Sequence, residues 1–159
     1  MKLVEFLDHS QKILFHGTHF VRLPEIINAD KIEAKTTDTA IELKRLAVGA
    51  GVSLTRSYAY AMRHRGGTKR SVVLVLDASH LKTIPVDYWN GEGEKYNRVD
   101  ELEEFHPGPI FPLSRYLISI NSTLTYEEWL VALGRKPKCK YSMIKKLWNV
   151  WQPIKGLVR

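Results

Sequence analysis

Apolar and polar positions near the start of the chain alternate with the two-residue period of a strand. In Lys12 to His16 (KILFH), Ile13 and Phe15 fall on one side and Leu14 and His16 on the other, which predicts a short strand ended by Gly17. The period then changes. Leu23-Pro24 opens a helix, with Pro24 at its first position and Glu25 at its positive end, and Ile26, Ile27 and Ile32 supply the apolar face. Thr39-Ala-Ile-Glu42 reads as a capping box for a second short helix ending near Gly49. Gly51 to Thr55 alternates again, Val52 and Leu54 against Ser53. Ser57 caps a helix carrying Tyr58, Tyr60 and Met62, which Gly66-Gly67 stops. Ser71 to Leu76 (SVVLVL) is a continuous apolar run rich in β-branched valine, which predicts a strand buried on both faces.

The second half is less regular. Pro85 to Arg98 reads as a loop, with Gly91, Gly93 and Asn97 beside the aromatics Tyr88, Trp89 and Tyr96. A strand over Glu103 to His106 precedes a turn punctuated by Pro107, Gly108, Pro109 and Pro112, and Tyr116 to Ile120 is a further strand. Thr125-Tyr-Glu-Glu128 is another capping box, opening a helix that Gly134 ends. A last helix is predicted from about Tyr141 to Trp151, with Ile144, Leu147, Trp148 and Trp151 as its apolar stripe and Lys145, Lys146 and Asn149 facing away. Several short strands, with helices between the early ones, predict an α+β fold rather than a ladder of βαβ units.

At 159 residues the chain suits one domain, 1–159, with a core at 12–120 and a C-terminal helical extension at 125–159. No apolar stretch is long enough to span a bilayer, so no membrane partner is expected. The opening MKLVEFLDHSQK lacks a long apolar run and a small-residue cleavage site, which favours a cytoplasmic protein. A single cysteine, Cys139, excludes an intrachain disulfide, and no Cys/His cluster has zinc spacing, so no metal is expected. The net charge of +7 is unevenly spread: eight of the 24 basic residues follow Gly134, and no acid follows Glu128. The body is therefore near neutral, and the basic block points to an anionic partner, a nucleic acid or an acidic protein surface, or else to a solvated helix face.

Three segments carry candidate chemistry. Leu14-Phe-His-Gly-Thr18 delivers a histidine, a glycine and a hydroxyl from a strand. Gly17 lets a ligand approach the backbone, whose N–H and C=O suit a carboxamide, and His16 can donate to a ribose hydroxyl. Gly51 to Tyr60 (GVSLTRSYAY) places Ser53 on a strand, and Tyr58 and Tyr60 offer rings that could stack on a flat ligand. In Glu101-Leu-Glu-Glu104, alternation puts Glu101 and Glu103 on one face and Glu104 on the other. Carboxylates at a strand's lip suit the stabilisation of a developing positive charge or the activation of a hydroxyl.

In this order the three segments resemble the motifs of the ADP-ribosyltransferase superfamily, the fold of the diphtheria-toxin-like and poly(ADP-ribose) polymerase catalytic domains. LFHGT and the following LPEIINADKI look like the first strand and helix of its histidine-type members. GVSLTRSYAYA is similar to the second motif, with Ser53 where histidine-type enzymes usually carry tyrosine, a feature of the arginine-type toxins. The third segment resembles the Glu-x-Glu of transferases, with Glu104 leaving the register open. The resemblance covers about residues 12–120 and looks like the small phage or bacterial members. It implies a split β-sheet flanked by short helices, NAD as substrate, and transfer of ADP-ribose to a macromolecule with release of nicotinamide.

It also implies roles. His16 would bind the adenosine ribose with support from Thr18, and the Gly17 backbone the nicotinamide amide. Tyr58 or Tyr60 would stack on nicotinamide. Glu103 would be the catalytic carboxylate, Glu101 the accessory one, and Glu104 the register alternative. Arg56, with Arg63, Arg65 and Arg70, could meet the pyrophosphate or an anionic acceptor. Two other readings stand beside this one. An NAD-dependent RNA 2′-phosphotransferase would use the same fold and suit a basic chain. An inert binding or inhibitor module would act through the basic C-terminal helix, with Trp148 and Trp151 as anchors.

Overall fold

A computed structural model of the chain describes residues 12–36, 50–63, 71–85, 103–136 and 141–148. In chain order these form β1 (Ile13–His19), a 3-10 turn (Phe20–Arg22), α1 (Leu23–Ala29), β2 (Gly51–Thr55), α2 (Tyr58–Met62), β3 (Ser71–Asp77), β4 (Ile84–Pro85), β5 (Glu103–Pro107), a second 3-10 turn (Leu113–Arg115), β6 (Leu117–Ser122), α3 (Tyr126–Ala132) and α4 (Ser142–Leu147). The fold is α+β: one six-stranded antiparallel sheet, in the order β4-β5-β2-β1-β3-β6, with a few short helices.

The β3 run behaves as its β-branched sequence predicts. Val72, Leu74 and Leu76 enter the main core with Leu14, Leu54 and Ile120, whereas Val73 and Val75 pack on the other face with Phe15 and Ala61 of α2. Both faces of this central strand are thus dry.

Gly17 does not end β1. The strand continues through it because β3 supplies partners as far as His19: Gly17 pairs with Val73, Thr18 with Val72 and His19 with Ser71. The glycine answers to packing instead, since a Cβ at this position would lie 2.2 Å from the Ala61 carbonyl oxygen of α2.

Other boundaries move for similar reasons. Ile32 lies beyond α1, buried in a bridge to Ile110. Pro85 pairs with Glu104 at the sheet edge, where its missing N–H is tolerated. Tyr116 closes the second 3-10 turn rather than opening β6. The Thr39 capping box, Gly66-Gly67, Arg65, Arg70, Glu101 and most of the predicted 85–98 loop lie outside the described residues.

The capping motifs form as written. Ser57 Oγ accepts from the Tyr60 N–H at 3.2 Å. Thr125 and Glu128 make both capping-box bonds, at 3.2 and 2.8 Å, and Gly134 leaves α3 at φ 70°. The C-terminal helices complete the main core rather than extend from it. Trp129 is fully buried, its indole donates to the Phe20 carbonyl at 3.1 Å, and it packs on Trp148 with centroids 5.3 Å apart. Trp148 in turn donates to the Leu124 carbonyl at 3.2 Å. An inward Trp148 removes one anchor from the inert-module reading, and Trp151 lies outside the described residues.

Candidate active site

β1 pairs residue by residue with β3 but meets β2 only at Phe15 and Thr55 among the described residues. Past that pair the two strands enclose a cleft of about 510 Å³, within the range of small-molecule sites. Its far end is closed by the return of the chain after α1, where Lys35 and Gly51 exchange both backbone hydrogen bonds, at 2.8 and 3.2 Å.

His16, Gly17, Thr18, Ser53, Tyr60 and Glu103 all line this cleft. The gap is what lets His16 and Glu103 border the same cleft. The partners Phe15, Thr55 and Glu103 share one face of the sheet, and alternation puts His16 on the other. In a continuous sheet the two side chains would be separated by the sheet itself. Because β1 and β2 part, groups from both faces border one volume.

His16 spans that gap. Its Nδ1–H donates to the Ser53 carbonyl at 3.0 Å, so the imidazole ties the two strands where their ladder has ended. This fixes the tautomer: in the neutral ring Nε2 is an acceptor, and it donates only when the ring is protonated. The sequence-based role of His16 as donor to a ribose hydroxyl therefore becomes, for the neutral ring, that of acceptor. Thr18 is buried in the cleft wall.

The two tyrosines separate. Tyr60 lines the cleft, whereas Tyr58 packs edge-on against Phe15, centroids 5.4 Å apart and planes at 78°. Burial pushes the Tyr58 hydroxyl above its ordinary pKa, partly offset by a hydrogen bond with the Asn121 side chain. Tyr58 is thus part of the smaller core.

The adjacent glutamates also separate. Glu103 is buried and faces the cleft. Glu104, only 4% exposed, lies on the opposite face, where Oε2 accepts from Lys12 Nζ and Thr83 Oγ1, and Oε1 is 3.5 Å from Arg56 Nε. Glu104 thereby ties β1, the approach to β4 and the end of β2 to β5. Arg56, assigned from sequence to a pyrophosphate, is directed to Glu104 and does not line the cleft.

Sequence reading missed one wall. Arg22, Glu25, Ile26 and Ala29 line the cleft at i, i+3, i+4 and i+7, so a face of α1 and the turn before it borders the site. Lys31, Glu33 and Lys35 add charge from the returning segment, and Lys31 pairs with Glu33 at 2.6 Å. The helical spacing was the available signal, obscured because Ile26 fits a core stripe equally well. Among the described residues no cluster of His, Cys, Asp and Glu could hold a metal ion, and no helix is long and apolar enough to cross a membrane.

No protein-family model, curated protein or solved structure matches the chain.

Proposed function

We propose that the cleft between β1 and β2 binds NAD and that the protein transfers ADP-ribose to a macromolecular acceptor, a protein or a nucleic acid, releasing nicotinamide. The observation that carries this reading is the convergence of His16-Gly17-Thr18, Tyr60 and Glu103, from three distant parts of the sequence, on one cleft through a gap in the sheet. Breaking the bond between nicotinamide nitrogen and ribose C1′ leaves the electron pair on nicotinamide and positive charge on the ribose, as in glycoside cleavage. A carboxylate at the Glu103 position stabilises that charge and holds a ribose hydroxyl. Tyr60 stacks on the nicotinamide ring, the Gly17 main chain pairs with its amide, and His16 Nε2 accepts from the adenosine ribose. Arg22 and Lys35 supply positive charge suited to a pyrophosphate. The acceptor's nucleophile then bonds to C1′ and loses its proton.

The cations on the cleft wall also favour a second reading, an RNA 2′-phosphotransferase on the same fold, since that reaction needs basic groups about the substrate phosphate. Incubation with labelled NAD and a cell lysate separates the readings. Label on a macromolecule with release of nicotinamide supports the first. NAD-dependent loss of phosphate from 2′-phosphorylated RNA supports the second. No label, no nicotinamide and intact 2′-phosphate refute both.

A further inference from the structure

Among the described residues, none of the basic residues after Gly134 lines the cleft, and their distribution is uneven. Through Glu128 the chain holds 16 basic and 17 acidic residues, and beyond it eight basic and none acidic. Four of the eight lie in described segments, and Arg135, Lys136, Lys145 and Lys146 are all exposed. Gly134, at φ 70°, turns the chain out of α3 so that Arg135 N–H closes onto the Leu130 carbonyl at 2.9 Å, which fixes where Arg135 and Lys136 start. On α4, Ile144 is buried while Lys145 and Lys146 stay outside, Lys145 over the Tyr126 ring at 5.7 Å. The unit is also fastened to the rim of the cleft: Trp129 of α3 donates to the carbonyl of Phe20, two residues before the cleft-lining Arg22.

We propose that these exposed cations dock a single-stranded nucleic acid through its phosphodiester backbone and deliver it to the cleft. Phosphate contact follows from the cations, three of the four being lysines, flexible point charges suited to a backbone rather than to base edges. An acidic protein partner is less well matched, because among the described residues the aromatics beside these cations, Trp129, Tyr126 and Trp148, pack against the core. The single-stranded form rests on the proposed reading of the cleft, since an acceptor group held in a duplex cannot enter a gap between two strands.

Fluorescence anisotropy with labelled mixed-sequence single-stranded RNA, single-stranded DNA of the same sequence, and the duplex tests this without NAD, so its outcome is separate from that of the turnover assay. Four phosphate contacts predict a slope of about −3 in log K against log salt, or roughly 50-fold weaker binding between about 50 and 200 mM. With Lys145→Gln and Lys146→Gln combined, the slope falls to about −1.4 and the loss over that range to roughly 7-fold. These side chains are exposed, and an unchanged circular dichroism spectrum and melting temperature verify that the variant is folded. Binding of either single strand with the steep slope, reduced in the variant, supports the proposal, and the RNA and DNA arms show which sugar is preferred. Absent or salt-insensitive binding, an unchanged slope in the variant, or binding of polyglutamate as tight as that of RNA overturns it. Equal or tighter binding of the duplex overturns the single-strand assignment.

Discussion

Replacing Gly17 by alanine separates two reasons for a glycine beside a ligand cleft. The residue has no left-handed φ, so its backbone conformation alone does not require glycine. Its constraint is the Ala61 carbonyl oxygen, 2.2 Å from where a Cβ would sit, far inside van der Waals contact. That atom belongs to backbone, so relief requires moving α2 or bending β1, both fastened to the central sheet. Overpacking of this kind costs about 1–3 kcal/mol, and a clash with main chain belongs at the upper end, about 3 kcal/mol. With a urea m-value of about 2 kcal/mol/M, the midpoint should fall by about 1.5 M at unchanged m. Gly134→Ala is the counterpart: there a Cβ meets open space, but φ is +70°, so the cost is left-handed strain of about 1 kcal/mol and a shift of about 0.5 M. Urea unfolding followed by tryptophan fluorescence and far-ultraviolet circular dichroism gives both midpoints. A Gly17→Ala midpoint equal to that of wild type would show that α2 does not press on β1, and the glycine would then have to be explained by the ligand alone.

Two further perturbations probe the neighbourhood. Glu104→Gln keeps the shape but withdraws the charge facing Lys12 and Arg56; because both cations are partly exposed, the expected loss is about 1–3 kcal/mol in urea unfolding, with nicotinamide release retained. Abolished turnover at unchanged stability would instead make Glu104 the reacting carboxylate. Tyr58 has its pKa raised in the folded state, so its contribution is complete below the ordinary tyrosine value and fades as pH climbs beyond about 10, where only the unfolded chain readily ionises. Stability measured across that range should fall less steeply in Tyr58→Phe than in wild type, and parallel curves would contradict the assignment.

Local rules were legible in the sequence where local chemistry decides the outcome. The β-branched run of β3, the Ser57 cap and the Thr125/Glu128 box each carry their own instruction, and each forms. What was not legible depends on distant partners. Gly17 reads as a strand end until β3 is placed beside it and Ala61 above it. Alternation separates Glu103 from Glu104 in the sequence, but it does not say which face meets a cleft and which meets Lys12, Thr83 and Arg56. That His16 and Glu103 border one cleft was hidden for the same reason: period-two patterning assigns faces and cannot report where two strands part company. Nothing in the sequence placed Lys31 and Lys35 at the cleft, because the return of the chain to Gly51 is a tertiary pairing.

The most direct test of the account is nicotinamide release from NAD by wild type, Glu103→Gln and His16→Ala, with NAD binding measured in parallel by calorimetry. The account predicts release by wild type, a fall of about 100-fold or more in Glu103→Gln with NAD still bound, and weakened NAD binding in His16→Ala. Undiminished release by folded Glu103→Gln would contradict the central claim that this carboxylate, brought to the cleft by the gap between β1 and β2, stabilises the breaking bond.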